Sequence, residues 1–264
     1  MNQIYQKQIK RLNNKEQRLL QRQENPIFRD KVKPVVEKIQ EKIPPKLKST
    51  LDKAFYKGFQ LVFEKGVVYI EKTYNKERIE MEHDIKDYAL NKKFSKKHIK
   101  NLDQHSKQST LLNTSFSALE GSVMGLLGIG LPDIPLFLSV IMRTIYEVAL
   151  SYGYRYDTPA EQAYILWLIC ASVTKEEKQL EYIKELDTLG DQLDHQIDIP
   201  VDLDGQMQIT AAALSDALLT AKFIQGIPIV GVVGGIVNYT ILNRIAKYAG
   251  VKYKKRYLMK KSFD

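Results

Sequence analysis

One cysteine, four histidines and one tryptophan in 264 residues leave little material for redox, metal or aromatic-cage chemistry. The lone Cys170 excludes an internal disulfide and fits a reducing compartment. It lies in an apolar run, so it reads as a small buried hydrophobe. The histidines, His83, His98, His105 and His195, form no HExxH pair. On one helix His98 and His105 would stand about 10 Å apart, too far for one ion with bonds of ~2 Å. No GxSxG, P-loop or dinucleotide fingerprint is present. The expectation is therefore no metal and no cofactor. Alternation of period two is missing as well, which argues against a sheet. Glycine and proline are sparse, low-complexity tracts are absent, and nothing repeats at a solenoid period. The N-terminal MNQIYQKQIKRLNNKEQ lacks the apolar core of a signal peptide, so the expected location is cytoplasmic.

What the chain does have is apolar residues at helical spacing, 44% of the total, and an uneven charge. Residues 1–110 carry a balance of +12, residues 111–246 of −9, and residues 247–264 of +6. Two basic ends thus flank an acidic, apolar middle, which predicts a surface with a positive pole.

The most informative stretch runs from Gly121 to Glu161. Asp133 between Pro132 and Pro135 marks a helix start, because aspartate caps and proline is tolerated in a first turn. The spacing predicts a helix from Asp133 to about Ser151, with Gly153 near its end. Ser139, Arg143, Glu147 and Ser151 recur every fourth residue and form one polar line on an otherwise apolar cylinder. Such a helix is normally buried. Arg143 and Glu147 then form either a satisfied internal ion pair or part of a polar groove, to which Asp133 and Asp157 would contribute. Thr158-Pro159-Ala160-Glu161 fits a capping box, with Thr158 as N-cap and Glu161 as the reciprocal acceptor. A second box, Thr174 to Glu177, opens a charged helix to about Leu193.

Elsewhere the pattern predicts a basic helix or mobile arm over residues 1–24 and a short amphipathic helix from Pro34 to Pro44. A longer helix from near Ser49 to Tyr74 and a charged one from Lys76 to Asn91 follow. Helix resumes after Ser95, then from Gln206 to Ile224, and from Ile229 to Tyr248. Asp202-Leu203-Asp204-Gly205 lacks the glycine and glutamate frame of an EF-hand loop. The apolar runs Gly121 to Met142 and Phe223 to Asn243 approach the roughly 20 residues that a membrane span needs. Pro132, Asp133 and Pro135 interrupt the first, and Gln225, Pro228 and Asn238 dilute the second.

Leu131-Pro132-Asp133-Ile134-Pro135-Leu136-Phe137-Leu138-Ser139-Val140, with Arg143, Tyr152-Gly153 and Pro159-Ala160-Glu161, resembles the signature of the EcsC family. So does Ile227-Pro228-Ile229-Val230-Gly231 through Gly235 and Asn238. The resemblance spans about residues 45 to 250. It implies an all-helical bacterial protein of a family named for a member encoded beside an ABC-type exporter. It brings no catalytic residues.

The reading that results is an all-α, multi-helix bundle: glycine-rich apolar helices at its centre, a basic N-terminal arm over 1–30 and the main domain over 31–264. Its expected role is a non-catalytic accessory protein, peripheral at the cytoplasmic face of the plasma membrane, with an ABC transporter component as partner. The residues expected to meet an anionic surface are Lys92, Lys93, Lys96, Lys97, Lys252, Lys254, Lys255 and Arg256. Each basic residue near such a surface adds about 1 kcal/mol. The alternative is an enzyme using a polar cleft around Asp133, Arg143 and Glu147. Basic residues beside tyrosines also permit nucleic-acid binding, but no recognised module accompanies them.

Overall fold

A computed structural model describes residues 3–21, 43–103, 133–224 and 234–262. All regular structure among them is helical: α1 (Gln3–Gln21), α2 (Pro45–Leu61), α3 (Val67–Glu71), α4 (Lys76–Lys92), α5 (Asp133–Ser151), α6 (Pro159–Val173), α7 (Glu176–Asp194), α8 (Leu203–Ile224) and α9 (Gly234–Lys260). A single π-helical turn, Val62–Gly66, links α2 to α3, and residues 96–103 add a further helical stretch. The glycine-rich runs 121–132 and 225–233, the helix expected from Pro34 and the division near residue 30 lie outside the described residues.

The core is built on α5 and α6. In α6, Ala163 to Leu166 and Leu168 to Ala171 are essentially inaccessible. Ile165, Ile169 and Val173 are weaker helix formers than alanine by a few tenths of a kcal/mol. Burying each contributes about 1.5–3 kcal/mol, so packing decides the conformation. Around this pair, α2 packs on α8 and α5; α8 and α7 pack on α6; α4 packs on α5; and α9 crosses α5, α6 and α8. α1 docks on α9, and Leu12 joins the common core.

Helix ends follow local chemistry. Asn75 caps α4 by accepting from Arg78 N at 2.9 Å, and Ser95 caps the next stretch through His98 N at 3.3 Å. α2 begins four residues before Ser49, because Pro45 takes the first helical position after Pro44. α5 closes in a Schellman turn: Tyr154 N donates to Ala149 O at 3.0 Å and Gly153 N to Leu150 O at 2.9 Å. Gly153 sits at φ +78°, and a Cβ there would fall 2.4 Å from His83 Nε2. Both facts demand glycine.

Two expectations are corrected. The box at Thr174 does not form, since its hydroxyl turns back to Cys170 O at 2.7 Å and Lys175 occupies the N-cap position without a side-chain cap. The last helix also does not end at Tyr248. It continues to Lys260, because residues 248–258 are buried on nearly every side among other helices.

Candidate functional site

The polar line of α5 is closed on itself. Ser139 Oγ donates to Pro135 O at 2.7 Å and Ser151 Oγ to Glu147 O at 2.6 Å. Arg143 Nε donates to Glu147 Oε1 at 2.7 Å, with the carboxylate buried. Nearby, Tyr156 donates to Glu71 Oε1 at 2.6 Å, and Lys76 Nζ meets the same oxygen at 2.6 Å. Tyr74 and Tyr156 hydroxyl oxygens lie 2.6 Å apart, and Tyr156 stacks on Tyr146 at 3.8 Å between centroids. Burial, reinforced by Glu71 and Glu147, holds the Tyr74 hydroxyl well above its ordinary pKa.

Where they are described, the residues of the expected groove are paired locally. Asp157 is exposed and pairs with Arg155 at 2.8 Å, and that hydrogen bond holds its carboxyl below the usual range. A cleft of about 550 Å³ opens at the turn Glu71 to Glu77, but Arg143, Glu147 and Asp157 do not line it. The Asp133 side chain lies outside the described part. Glu147 finds its cation one turn away and Asp157 finds one two residues away.

The C-terminal cations also depart from expectation. Lys252 is 1% exposed, Lys254 8% and Arg256 7%. Lys252 Nζ pairs with Asp187 Oδ1 at 2.6 Å and with Glu16 of α1. Lys255 Nζ reaches Glu16 Oε2 at 3.2 Å, and Lys254 Nζ meets both oxygens of Asp103 at 2.7 Å. Arg256 donates to Glu161 (2.8 and 3.1 Å) and to Asp194 (2.8 and 3.1 Å). Its guanidinium carbon lies 4.3 Å from the ring centroids of Tyr154 and Tyr164, a stacked geometry that suits arginine. These four residues are thus engaged with carboxylates of the protein itself. Asp187, Glu161 and Asp194 of the acidic middle and Glu16 and Asp103 of the N-terminal third neutralise them, and a headgroup would have to compete with carboxylates already in place.

The capping box at Thr158 is half right for the same reason. Thr158 Oγ1 accepts from Glu161 N at 3.2 Å, but the Glu161 carboxylate serves Arg256. Burial, with Asp194 close by, holds Glu161 above its ordinary value against the pull of Arg256. Glu16 shows the opposite balance. Burial raises it, the two lysines outweigh that, and its pKa falls below the ordinary 4.5.

The N-terminal cations stay outside. Lys92, Lys93, Lys96, Lys97 and Lys100 are all exposed, and no carboxylate lies between Asp87 and Asp103. On α1, Arg11, Lys15 and Arg18 share one exposed face at i, i+4 and i+7. Together with residues 96–103 and α9 they border a cleft of about 600 Å³. Sequence reasoning had the four lysines at 92–97 but not this cleft, which depends on α1 docking through Glu16 and Leu12. The alternation of cations with Tyr248, Tyr253 and Tyr257 was the available sign that α9 is an interior helix.

Among the described residues no group of three or more His, Cys, Asp or Glu is arranged to hold a metal. Cys170 is buried, its Sγ 3.2 Å from Thr210 Oγ1, and burial pushes its thiol up to about 12. One described helix segment, Ile134–Ser151, is long and apolar enough to cross a membrane, but 78% of it is buried inside the bundle.

A helical bundle with a neutralised cation row inside and a basic cleft outside defines the class. The EcsC protein family model matches residues 6–258, and the chain belongs to that family. The match takes in most of α1 as well as the interior helices. Comparison with curated proteins and with solved structures gives no significant match.

Proposed function

We propose that this chain is a non-catalytic accessory protein that docks on the cytoplasmic face of the membrane through the basic face of α1 and residues 92–100. The observation that carries the reading is the sorting of charge. Lys252, Lys254 and Arg256 are turned inward, while Arg11, Lys15, Arg18 and the lysines at 92–100 are exposed on neighbouring elements. Five exposed lysines between residues 92 and 100, each contributing about 1 kcal/mol near an anionic leaflet, suffice for reversible attachment. The apolar α5 takes no part in this reading, since 78% of Ile134–Ser151 is buried inside the bundle. The namesake's place beside an ABC-type exporter suggests a transporter as the neighbour at that surface. The candidate acids for catalysis are engaged: Glu147 by Arg143 and Asp157 by Arg155.

Flotation with vesicles tests this. Full-length protein is expected to float with vesicles containing anionic lipid at low ionic strength and to be released by salt. Replacing Lys92, Lys93 and Lys97 together by glutamine should weaken flotation by at least about tenfold. Protein that stays at the bottom of the gradient at low salt refutes membrane docking.

A further inference from the structure

The cleft between α1, residues 96–103 and α9 is more selective in build than a basic surface. Its described lining carries six cations, Arg11, Lys15, Arg18, Lys96, Lys100 and Lys254, against one carboxylate, Asp103. Both oxygens of Asp103 take Lys254 at 2.7 Å, and one also accepts from Tyr152 at 3.1 Å. Asp103 thus fixes Lys254 at the cleft wall and is saturated in doing so. Arg11 and Lys15, like Lys96 and Lys100, are like charges at i, i+4, a spacing that disfavours a helix. Lys96 also sits in the first turn after the Ser95 cap, where the helix dipole favours anions. Two such rows facing one concavity repel each other, and concave walls concentrate their field. An anion seated between them would meet cations of both rows.

We propose that this cleft seats the phosphate monoester of a lipid headgroup, so that the protein prefers membranes displaying phosphatidic acid over those with an equal charge of phosphodiester lipid. The inference rests on the membrane reading above. A monoester offers close to two charges and three terminal oxygens, which suits arginine forks and lysine ammonium groups arriving from α1 and from residues 96–103. A phosphodiester offers one charge and lies flush with the leaflet. The cleft volume falls within the range of small-ligand sites. Leu12 and Ile99 at its wall leave the phosphate as the group to be recognised.

The test compares flotation of the full-length protein on vesicles of neutral lipid carrying either phosphatidic acid or phosphatidylglycerol, at matched surface charge. Phosphatidic acid is expected to bind about tenfold more tightly, the size of one added hydrogen bond to a charged group. Arg11→Gln with Lys100→Gln should weaken binding to both vesicles and abolish the preference between them, whereas Lys97→Gln outside the cleft should weaken both and keep the preference. For folding-independent support, glycerol 3-phosphate should raise the melting temperature of the unaltered protein more than chloride at equal ionic strength.

Equal binding to the two vesicles overturns the inference and leaves docking intact, while no binding to either overturns both. Tight binding of free glycerol 3-phosphate with no vesicle preference assigns the cleft to a soluble phosphate compound and overturns the lipid source. Preference for single-stranded RNA over either vesicle also overturns it.

Discussion

Arg256 serves two carboxylates with one guanidinium, so the group Glu161–Arg256–Asp194 carries one excess negative charge in a tyrosine-lined interior. Burial, with that excess added by Asp194, holds Glu161 above its ordinary value even with an arginine against it. Replacing Arg256 by methionine keeps much of the volume and leaves two carboxylates uncompensated. The expected cost is about 3–5 kcal/mol, as for other buried pairs broken from one side, read by urea denaturation. Glu161→Gln should cost less, because it removes the under-compensated charge. Glu16 gives the pH dependence. Its folded pKa lies below 4.5, so the unfolded chain binds its proton more readily. Its contribution is therefore present in full above about pH 4.5 and is lost as pH falls through the folded value. The stability gap between the unaltered protein and Glu16→Gln should be constant from neutral pH down to about 5 and close below that. A gap that widens on acidification would show that Glu16 is not held charged by Lys252 and Lys255.

At the scale of the element, α5 shows what a sequence pattern reveals and what it hides. Its start, length and all-round burial were legible because a proline-flanked aspartate, one polar line and a following glycine each have a local cause. Gly153 was legible as a helix end, but His83 packed over it was not, since that contact joins residues far apart in the chain. Substituting alanine at Gly153 should destabilise by about 1–2 kcal/mol from the left-handed backbone alone, plus the displacement of His83. Thermal melts of Gly153→Ala, with and without His83→Ala, separate the two. The second replacement should recover only the part due to contact. Full recovery would mean that the backbone can relax away from φ +78°. The continuation of α9 past Tyr248 was hidden for a related reason. Lysine and arginine read as solvated until their partners are known, and Glu16, Asp103, Glu161, Asp187 and Asp194 come from four other segments.

Across the whole molecule, the three-part charge pattern in the sequence becomes a radial one in the structure. Lys252, Lys254 and Arg256 of the positive tail turn inward onto carboxylates of the middle and of the N-terminal third, and Arg11, Lys15, Arg18 and the lysines at 92–100 are exposed. The sign of each segment was legible, but which positive end faces solvent was not, because only tertiary packing decides it. Salt should then act in two directions at once. The exposed cations of α1 and residues 92–100 repel one another, and their range falls from about 30 Å at 0.01 M salt to about 8 Å at 0.15 M. The inner pairs of Lys252, Lys254 and Arg256 are screened far less, being sheltered from ions. Raising salt over that interval should increase the melting temperature by relieving surface repulsion, while it weakens attachment to anionic vesicles. Glutamine at Lys92, Lys93 and Lys97 should flatten both responses together, since both arise from the same charges. A melting temperature that falls with added salt would mean that accessible ion pairs, not exposed repulsion, dominate the surface, and the sorting of charge argued here would be wrong.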